Sequence, residues 1–174
     1  MPTLHLICGL PGAGKTTFAR QLEMDHNALR LTPDEWHIPL FGMDISEPEH
    51  DARHDQVEVL MWHVAERALT LGVDVILDFG FWSQVEREDF RARAEQLGAN
   101  SELHYLDVPE ETLRARLAVR NTNLPAENFL VSPEQVSAWF TLLQAPAQTE
   151  LMPRIGRQSG RYERDTSEHQ ANIH

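Results

Sequence analysis

The chain has 174 residues, a mass of 19.9 kDa and an excess of acidic over basic side chains, with a formal charge of −12. This length suits one domain with its own hydrophobic core and excludes two. The charge argues against an extended nucleic acid as a partner, because it would repel a phosphate backbone. The single cysteine, Cys8, excludes a disulfide framework. No apolar run approaches the roughly 20 residues of a membrane span, and the N-terminus lacks a secretion signal, so we expect a cytoplasmic protein.

Short apolar runs alternate with amphipathic stretches along the chain. This pattern predicts strands at 3–8, 28–31, 73–78 and 102–107, and helices at 15–24, 51–71, 84–97, 109–120 and 132–144. Gly72 and Gly98 follow two of the predicted helices, as is typical of helix C-termini. Strands that alternate with helices at this spacing predict an α/β fold with a doubly wound, mostly parallel sheet that has helices on both faces.

Two stretches lack this periodicity. Residues 121–132 contain three Asn and one Pro and predict a mobile loop, which would form a lid over about 116–133 together with the end of the preceding helix. Residues 153–174 are polar and contain almost no large apolar side chains. We therefore expect a folded domain at 1–152 and a poorly ordered tail at 153–174.

The most specific motif is the segment 9–16, Gly-Leu-Pro-Gly-Ala-Gly-Lys-Thr, which fits G-x-x-x-x-G-K-[ST] without a mismatch. It follows a predicted strand and opens a predicted helix, as the motif requires. Its glycines allow backbone N–H groups to turn towards phosphate oxygens, and the helix N-terminus adds its positive dipole end. Lys15, the only lysine in the chain, would reach the β- and γ-phosphates, and Thr16 would bind Mg²⁺. The alternative is a glycine-rich turn without a ligand.

The predicted third strand ends in Asp78, where the second acidic element of such a fold belongs. ATP-hydrolysing motors usually place Glu directly after this Asp to activate water, and here Phe79 follows. Transfer of a phosphoryl group to a bound hydroxyl therefore fits better than hydrolysis. Asp78 is expected to bind Mg²⁺, and the alternative is a strand-end Asp that caps the next turn.

Two carboxylates, Asp34 and Glu35, follow Pro33 in the crevice beyond the predicted second strand. Asp34 could accept the proton of a hydroxyl that attacks the γ-phosphate in line. The alternative is that both acids lie in the first turn of a helix because they interact favourably with its dipole.

Charge that develops on a transferring phosphoryl group requires cations. Arg116 and Arg120 are four residues apart on one predicted helix face, directly before the mobile loop. A lid that closes over ATP would bring their guanidinium groups to the phosphates. The alternative is a solvated basic face that pairs with Glu110 or Glu111.

These motifs together resemble the small P-loop kinases that are often catalogued as AAA domain ATP-binding proteins. The segments that carry the resemblance are Gly9–Thr16, Thr32-Pro-Asp-Glu-Trp36, Ile76-Leu-Asp-Phe-Gly-Phe-Trp-Ser83 with Arg87, and Arg116-x-x-x-Arg120-Asn121. Relatives include chloramphenicol phosphotransferase, the zeta toxins and the kinase domain of polynucleotide kinase, and the resemblance covers about residues 3–145. It implies ATP-dependent phosphorylation of a hydroxyl, with Asp34 as the catalytic Asp and Arg116 or Arg120 as the lid arginine. Asp78 matches an Asp that helps form the acceptor site in the polynucleotide kinases.

The chain departs from two of these relatives. Polynucleotide kinases carry a basic residue shortly after the catalytic Asp, and the candidate here is His37, a weaker cation at neutral pH. The zeta toxins are longer and have further sugar-nucleotide-binding elements that this sequence lacks.

Aromatic side chains cluster near the predicted carboxyl ends of the second and third strands, and they would suit a small amphipathic acceptor or, alternatively, form ordinary core. They are Trp36, Phe41, Phe79, Phe81 and Trp82. The predicted acceptor-binding residues are Asp34, Trp36, Arg53, Asp78, Trp82 and Arg87. His50 and His54 are four residues apart and could bind a metal, but no third ligand is evident. Cys8 is expected to pack in the core.

The sequence thus predicts an ATP- and Mg²⁺-dependent kinase that phosphorylates a hydroxyl of a small molecule such as an antibiotic, a nucleoside or a sugar-like metabolite. The predicted catalytic residues are Lys15, Asp34, Arg116 and Arg120. The predicted nucleotide-binding residues are Gly9, Pro11, Gly12, Ala13, Gly14, Lys15, Thr16, Thr17, Arg116 and Arg120. The alternatives are a nucleotide or 5′-hydroxyl polynucleotide kinase and a non-catalytic ATP-binding sensor. The acceptor, the choice between ATP and GTP, and the oligomeric state stay open.

Overall fold

The structure is a computed structural model that describes residues 1–42, 48–122 and 131–156. Its elements in chain order are β1 (Thr3–Cys8), α1 (Lys15–His26), β2 (Leu29–Leu31), α2 (Pro33–Phe41), α3 (His50–Thr70), β3 (Val75–Gly80), α4 (Gln84–Gln96), β4 (Asn100–Tyr105), α5 (Glu110–Thr122) and α6 (Pro133–Leu142). None of the helices in these ranges is both long and apolar enough to span a membrane.

The four strands form one parallel sheet in the order β2-β3-β1-β4. The predicted parallel α/β sheet is therefore confirmed. β1 lies between β3 and β4, so the chain passes from β1 to the edge strand β2 and later returns to the other side of β1. Ligands of open α/β sheets bind where the connections diverge in this way, at the carboxyl ends of the strands. The fold thus points to the end of β1 as the binding crevice.

Helices cover both faces of the sheet, as predicted. Leu4 and Leu6 of β1 pack with Met61 of α3 and other side chains of α3 and α4, whereas Ile7 packs with Ala19 of α1 on the opposite face. This alternation follows from the two-residue period of a strand. Because both faces are covered, β1 and β3 are almost fully buried, and most of their residues are apolar.

One element differs in kind from the sequence prediction. The segment after β2, where no helix was predicted between 31 and 51, is the nine-residue helix α2, as in the alternative that puts both acids in the first turn of a helix. Pro33 occupies the start of this helix, and Asp34 and Glu35 lie in its first turn. The fixed φ of proline and the favourable interaction of acids with a helix N-terminus explain this start.

Residues 153–156, predicted as the start of the C-terminal tail, pack against the domain. Arg91 of α4 is 1% exposed and donates hydrogen bonds to the backbone carbonyls of Glu150 and Met152. Arg154 forms an antiparallel bridge with Ser101, with N–H to O distances of 2.8 and 2.9 Å. A buried guanidinium requires acceptors, and the carbonyl groups of Glu150 and Met152, directly before this segment, supply them. The predictions for the remaining tail and for most of the mobile loop concern residues 157–174 and 123–130, which lie outside the described residues.

Candidate active site

The loop between β1 and α1 has the backbone geometry of a phosphate cradle. Gly12 and Gly14 have φ angles of +84° and +96°, which residues with a Cβ rarely adopt. α1 begins at Lys15 with Gly14 as its N-cap, and no side chain caps the helix. Its first backbone N–H groups are therefore directed at the crevice without a side-chain acceptor, which is the arrangement that binds an anion.

Lys15 lies half-buried at the start of α1. Its ammonium group donates a hydrogen bond of 3.2 Å to the carbonyl oxygen of Leu10. Burial lowers the pKa of Lys15, and the charges of Asp78 and Asp34 oppose that effect. A half-buried cation at a helix N-terminus is suited to bind phosphate oxygens.

Asp78 is 5% exposed and lies in β3, next to the start of α1. Its Oδ2 accepts hydrogen bonds from the hydroxyl groups of Thr16, at 2.8 Å, and Thr32, at 3.3 Å. Its Oδ1 is buried and has no hydrogen-bond partner in the part of the chain that the structure describes. Burial raises the pKa of Asp78, and Lys15 and the two hydroxyl groups oppose the rise.

These contacts bear on whether the site fits Mg²⁺. The ion prefers oxygen ligands from one or two protein groups together with phosphate oxygens. The Thr16 hydroxyl and the unpartnered Oδ1 of Asp78 supply such oxygens beside the phosphate cradle. The residues present therefore fit the ion.

Asp34 faces the same crevice and contacts a histidine of α3. His54 Nε2 lies 3.9 Å from Asp34 Oδ1, and His54 Nδ1 lies 3.6 Å from Glu58 Oε1. Burial acts to lower the pKa of His54, but the nearby carboxylates of Asp34 and Glu58 raise it above its ordinary value overall. Burial also raises the pKa of Glu58 to about 7. His54 is thus an ion-pair partner of Asp34, a contact that sequence analysis missed.

The two arginines of α5 have different positions. Arg116 donates a hydrogen bond of 3.3 Å to the carbonyl oxygen of Ala13 in the phosphate loop. Burial lowers the pKa of Arg120, and the charge of Asp34 opposes this effect. The alternative pairing with Glu110 is made instead by Arg114, with distances of 2.7 and 2.9 Å. Arg116 therefore contacts the phosphate loop directly, whereas Arg120 is linked to Asp34 through its charge.

The prediction that Arg87 binds the acceptor was wrong. Its side chain is fully buried and its Nε and Nη2 donate to the carboxylate of Glu150, at 2.9 and 3.2 Å. Its Nη1 donates to the carbonyl oxygens of Phe81 and Trp82. Because every nitrogen has a protein acceptor, no part of this guanidinium is available to a substrate.

Three further predicted acceptor-binding residues have contacts that the structure describes. Trp82 donates its indole N–H to the carbonyl oxygen of Gly9 at 3.2 Å, so it contacts the first residue of the phosphate loop. Trp36 lines an open apolar groove with residues of α3, among them Leu60 and Val64. Arg53 lies over the ring of Phe41, 5.2 Å from its centroid.

Two smaller predictions can be compared with the structure. The buried Cys8 thiol donates to the carbonyl oxygen of Phe81 at 3.2 Å, which agrees with a packing role. His50 and His54 lie near His37, with ring centroids 4.8 and 5.8 Å from it. His37 is 2% exposed, and burial together with the neighbouring histidines lowers its pKa. It is therefore neutral at pH 7 and cannot replace the basic residue of the polynucleotide kinases.

Comparison with known proteins agrees with this architecture. The family model described as AAA domain matches residues 4–146. A chain of the Pnkp1/Rnl/Hen1 RNA repair complex is 21% identical with a TM-score of 0.72, and the match covers 98% of this chain and 52% of that one. The chain thus spans about half the length of that relative. No curated protein sequence matches it.

Two other solved structures are matched over most of their length. Kti12 from Chaetomium thermophilum, in complex with ADP-AlF3, is 20% identical with a TM-score of 0.65, over 84% of this chain and 82% of that one. A gluconokinase from Sinorhizobium meliloti 1021 is 15% identical with a TM-score of 0.60, over 86% and 79%. The fold is the P-loop kinase fold that the phosphate loop predicts. With a family model matched over most of its length, the chain belongs to the AAA domain family.

Proposed function

We propose that this protein is an ATP-dependent kinase that transfers the γ-phosphate to a hydroxyl group of a small molecule. The observation that carries the proposal is the 3.3 Å hydrogen bond from the Thr32 hydroxyl to Asp78, because it joins the start of α2, which carries Asp34, to the strand end that contacts Thr16 of the phosphate loop. A carboxylate near the phosphate-binding lysine can accept a proton from an incoming hydroxyl. Phe79 rather than Glu follows Asp78, so the usual activator of water is missing from that position.

Each crevice residue has a defined task in this reaction. The backbone N–H groups at the start of α1 and the Lys15 ammonium bind the β- and γ-phosphates. Thr16 and Asp78 would hold Mg²⁺, and the ion would supply positive charge to the phosphate oxygens. Asp34 accepts the proton of the acceptor hydroxyl while the hydroxyl oxygen bonds to the γ-phosphorus. The bond from the γ-phosphorus to the β,γ-bridging oxygen breaks and ADP leaves, and His54 orients the Asp34 carboxylate. Arg116 and Arg120 stabilise the charge of the transferring group.

A small acceptor is favoured over a polynucleotide by charge. The chain has a formal charge of −12, and His37 is neutral where the polynucleotide kinases have a cation. The fold similarity to the RNA repair chain supports a nucleotide or 5′-hydroxyl polynucleotide kinase as the second candidate. A sensor that binds ATP without transferring phosphate would not need Asp34 beside Lys15.

The test is ATP consumption by the purified protein with Mg²⁺ and a panel of hydroxyl compounds, namely antibiotics, nucleosides, sugars and a 5′-hydroxyl oligonucleotide. Asp34→Ala is expected to lower acceptor-stimulated turnover by about 10²- to 10⁴-fold and to leave ATP affinity almost unchanged. Asp25→Ala, which removes an exposed carboxylate from α1, is the matched control and should keep full turnover.

Two results would contradict the proposal. Stimulation by the oligonucleotide alone would identify the acceptor as a polynucleotide. Tight ATP binding with no stimulation by any compound, and with no effect of Asp34→Ala, would favour the sensor.

A further inference from the structure

A second group of chemically reactive side chains lies towards the amino ends of the strands, away from the phosphate loop. It is centred on His5 of β1. Within the described ranges, two sets of three possible ligands have their ligand atoms within 4.8 Å of one another, and both include His5. One set is His5, His26 and Asp74, and the other is His5, Glu102 and His104. We refer to these five residues as the His5 cluster.

The two ring nitrogens of His5 have different surroundings. Nδ1 lies 3.1 Å from Nε2 of His104 and 3.7 Å from Oε2 of Glu102. Nε2 is buried and has no hydrogen-bond partner in the described structure, and the whole residue is only 1% exposed. A buried polar atom without a partner costs stability and is rare in native proteins. The Nε2 atom of His5 is therefore available to bind a ligand from outside the described structure.

We propose that Nε2 of His5, together with His26 and Asp74, binds a divalent transition-metal ion of the Zn²⁺ class. Two imidazoles and one carboxylate form a donor set that zinc accepts with a fourth position open to water. Imidazole also selects zinc and similar metals over Mg²⁺, which prefers oxygen ligands. The site is separate from the proposed ATP site and does not depend on it.

Residues next to these ligands orient two of the proposed ligands, His5 and Asp74, through hydrogen bonds. When Nε2 of His5 binds the ion, Nδ1–H donates to Nε2 of His104, which fixes the tautomer and the ring orientation. The Oδ1 atom of Asp74 accepts a hydrogen bond of 2.8 Å from the backbone N–H of Thr3, which orients its carboxylate. The ligands and their supports thus come from four separate parts of the chain.

Access and protonation also suit the ion. Burial, followed by the charges of His104 and His26, lowers the pKa of His5 to about 4, so the ring is neutral at pH 7 and need not lose a proton. His26 is exposed, which leaves a route for the ion from solvent. His26 lies in the last turn of α1, and Lys15 opens the first, so the ion ties the helix that carries the phosphate-binding lysine to the sheet.

The experiment is a titration of the nucleotide-free protein with Zn²⁺ by calorimetry, with excess Mg²⁺ present to occupy the phosphate-loop site. Co²⁺ then replaces Zn²⁺, and its visible absorption reports a four-coordinate site with nitrogen ligands. We expect one ion per chain. His26→Ala and Asp74→Asn should each weaken binding by about tenfold or more. The control is His63→Ala, which removes an exposed histidine of α3, and it should bind the ion like the wild type.

Three outcomes would overturn the proposal. The first is no stoichiometric binding by the wild-type protein. The second is unchanged affinity in both His26→Ala and Asp74→Asn. The third is loss of binding in His54→Ala while His26→Ala binds normally, which would place the ion at the α2–α3 histidines. His26 is exposed, so its substitution should leave the fold intact, and circular dichroism without metal checks this.

Discussion

The buried ion pair between Arg87 and Glu150 offers the sharpest test of how the C-terminal segment is held. The residues around Glu150 form neither a strand nor a helix, yet the Glu150 side chain is buried beside α4. We predict that Glu150→Ala strongly destabilises the domain. Glu88→Ala, which breaks a surface pair on the same segment, should have almost no effect.

The magnitude follows from burial and geometry. The exposed fractions of the Arg87 and Glu150 side chains are 0% and 6%, and two N–O contacts of 2.9 and 3.2 Å join them. Removal of the carboxylate leaves a buried guanidinium with only backbone carbonyl acceptors, which costs about 3–5 kcal/mol. Glu88 and Arg154 are 39% and 44% exposed, and such pairs contribute about 0–1 kcal/mol.

The assay is equilibrium unfolding in urea at neutral pH, followed by circular dichroism. Glu150→Ala should lower the free energy of unfolding by about 3–5 kcal/mol. Arg87→Met combined with Glu150→Leu should recover most of this loss, since it leaves no unpaired charge. The structural role assigned to Arg87 is wrong if Glu150→Ala and Glu88→Ala lower the free energy of unfolding equally. It is also wrong if Arg87→Met alone leaves the free energy of unfolding unchanged and impairs only acceptor binding.

Two further predictions concern the active-site crevice. Gly12→Ala should lower the free energy of unfolding by about 2–5 kcal/mol, because the left-handed backbone costs about 1–2 kcal/mol and the new Cβ would lie 2.9 Å from Cγ of the buried Leu117. Gly14→Ala has the same backbone penalty but no atom within 4 Å, so denaturation should show a loss at least about 1 kcal/mol smaller, and equal losses would refute the contact with Leu117. The pKa of His54 is raised above 6.5 in the folded state, so its pairing with Asp34 adds stability that is fully present below pH 6.5 and is lost as the pH rises through the raised pKa. His54→Ala should remove that part of the pH dependence, at most about 1 kcal/mol, and an unchanged unfolding profile between pH 6 and about 8 would contradict the pairing.

Much of the fold could be predicted because its determinants are local. The apolar runs and the helix periodicity located the four strands and all helices except α2 to within a few residues. α2 was the exception because Pro33 followed by acids is compatible both with a turn and with a helix start. The adjacent packing of α2 on α3, which no local pattern encodes, decided between the two.

The site divides along the same line. By itself the sequence determined the phosphate loop and its lysine, because glycine spacing and one strand–loop–helix segment contain all of that geometry. Only the tertiary structure decided that Asp34 meets His54, that Arg87 serves the C-terminal segment, and that the His5 cluster assembles. These contacts join residues 20 to 100 positions apart, and long-range pairing depends on how the sheet and helices pack rather than on local sequence.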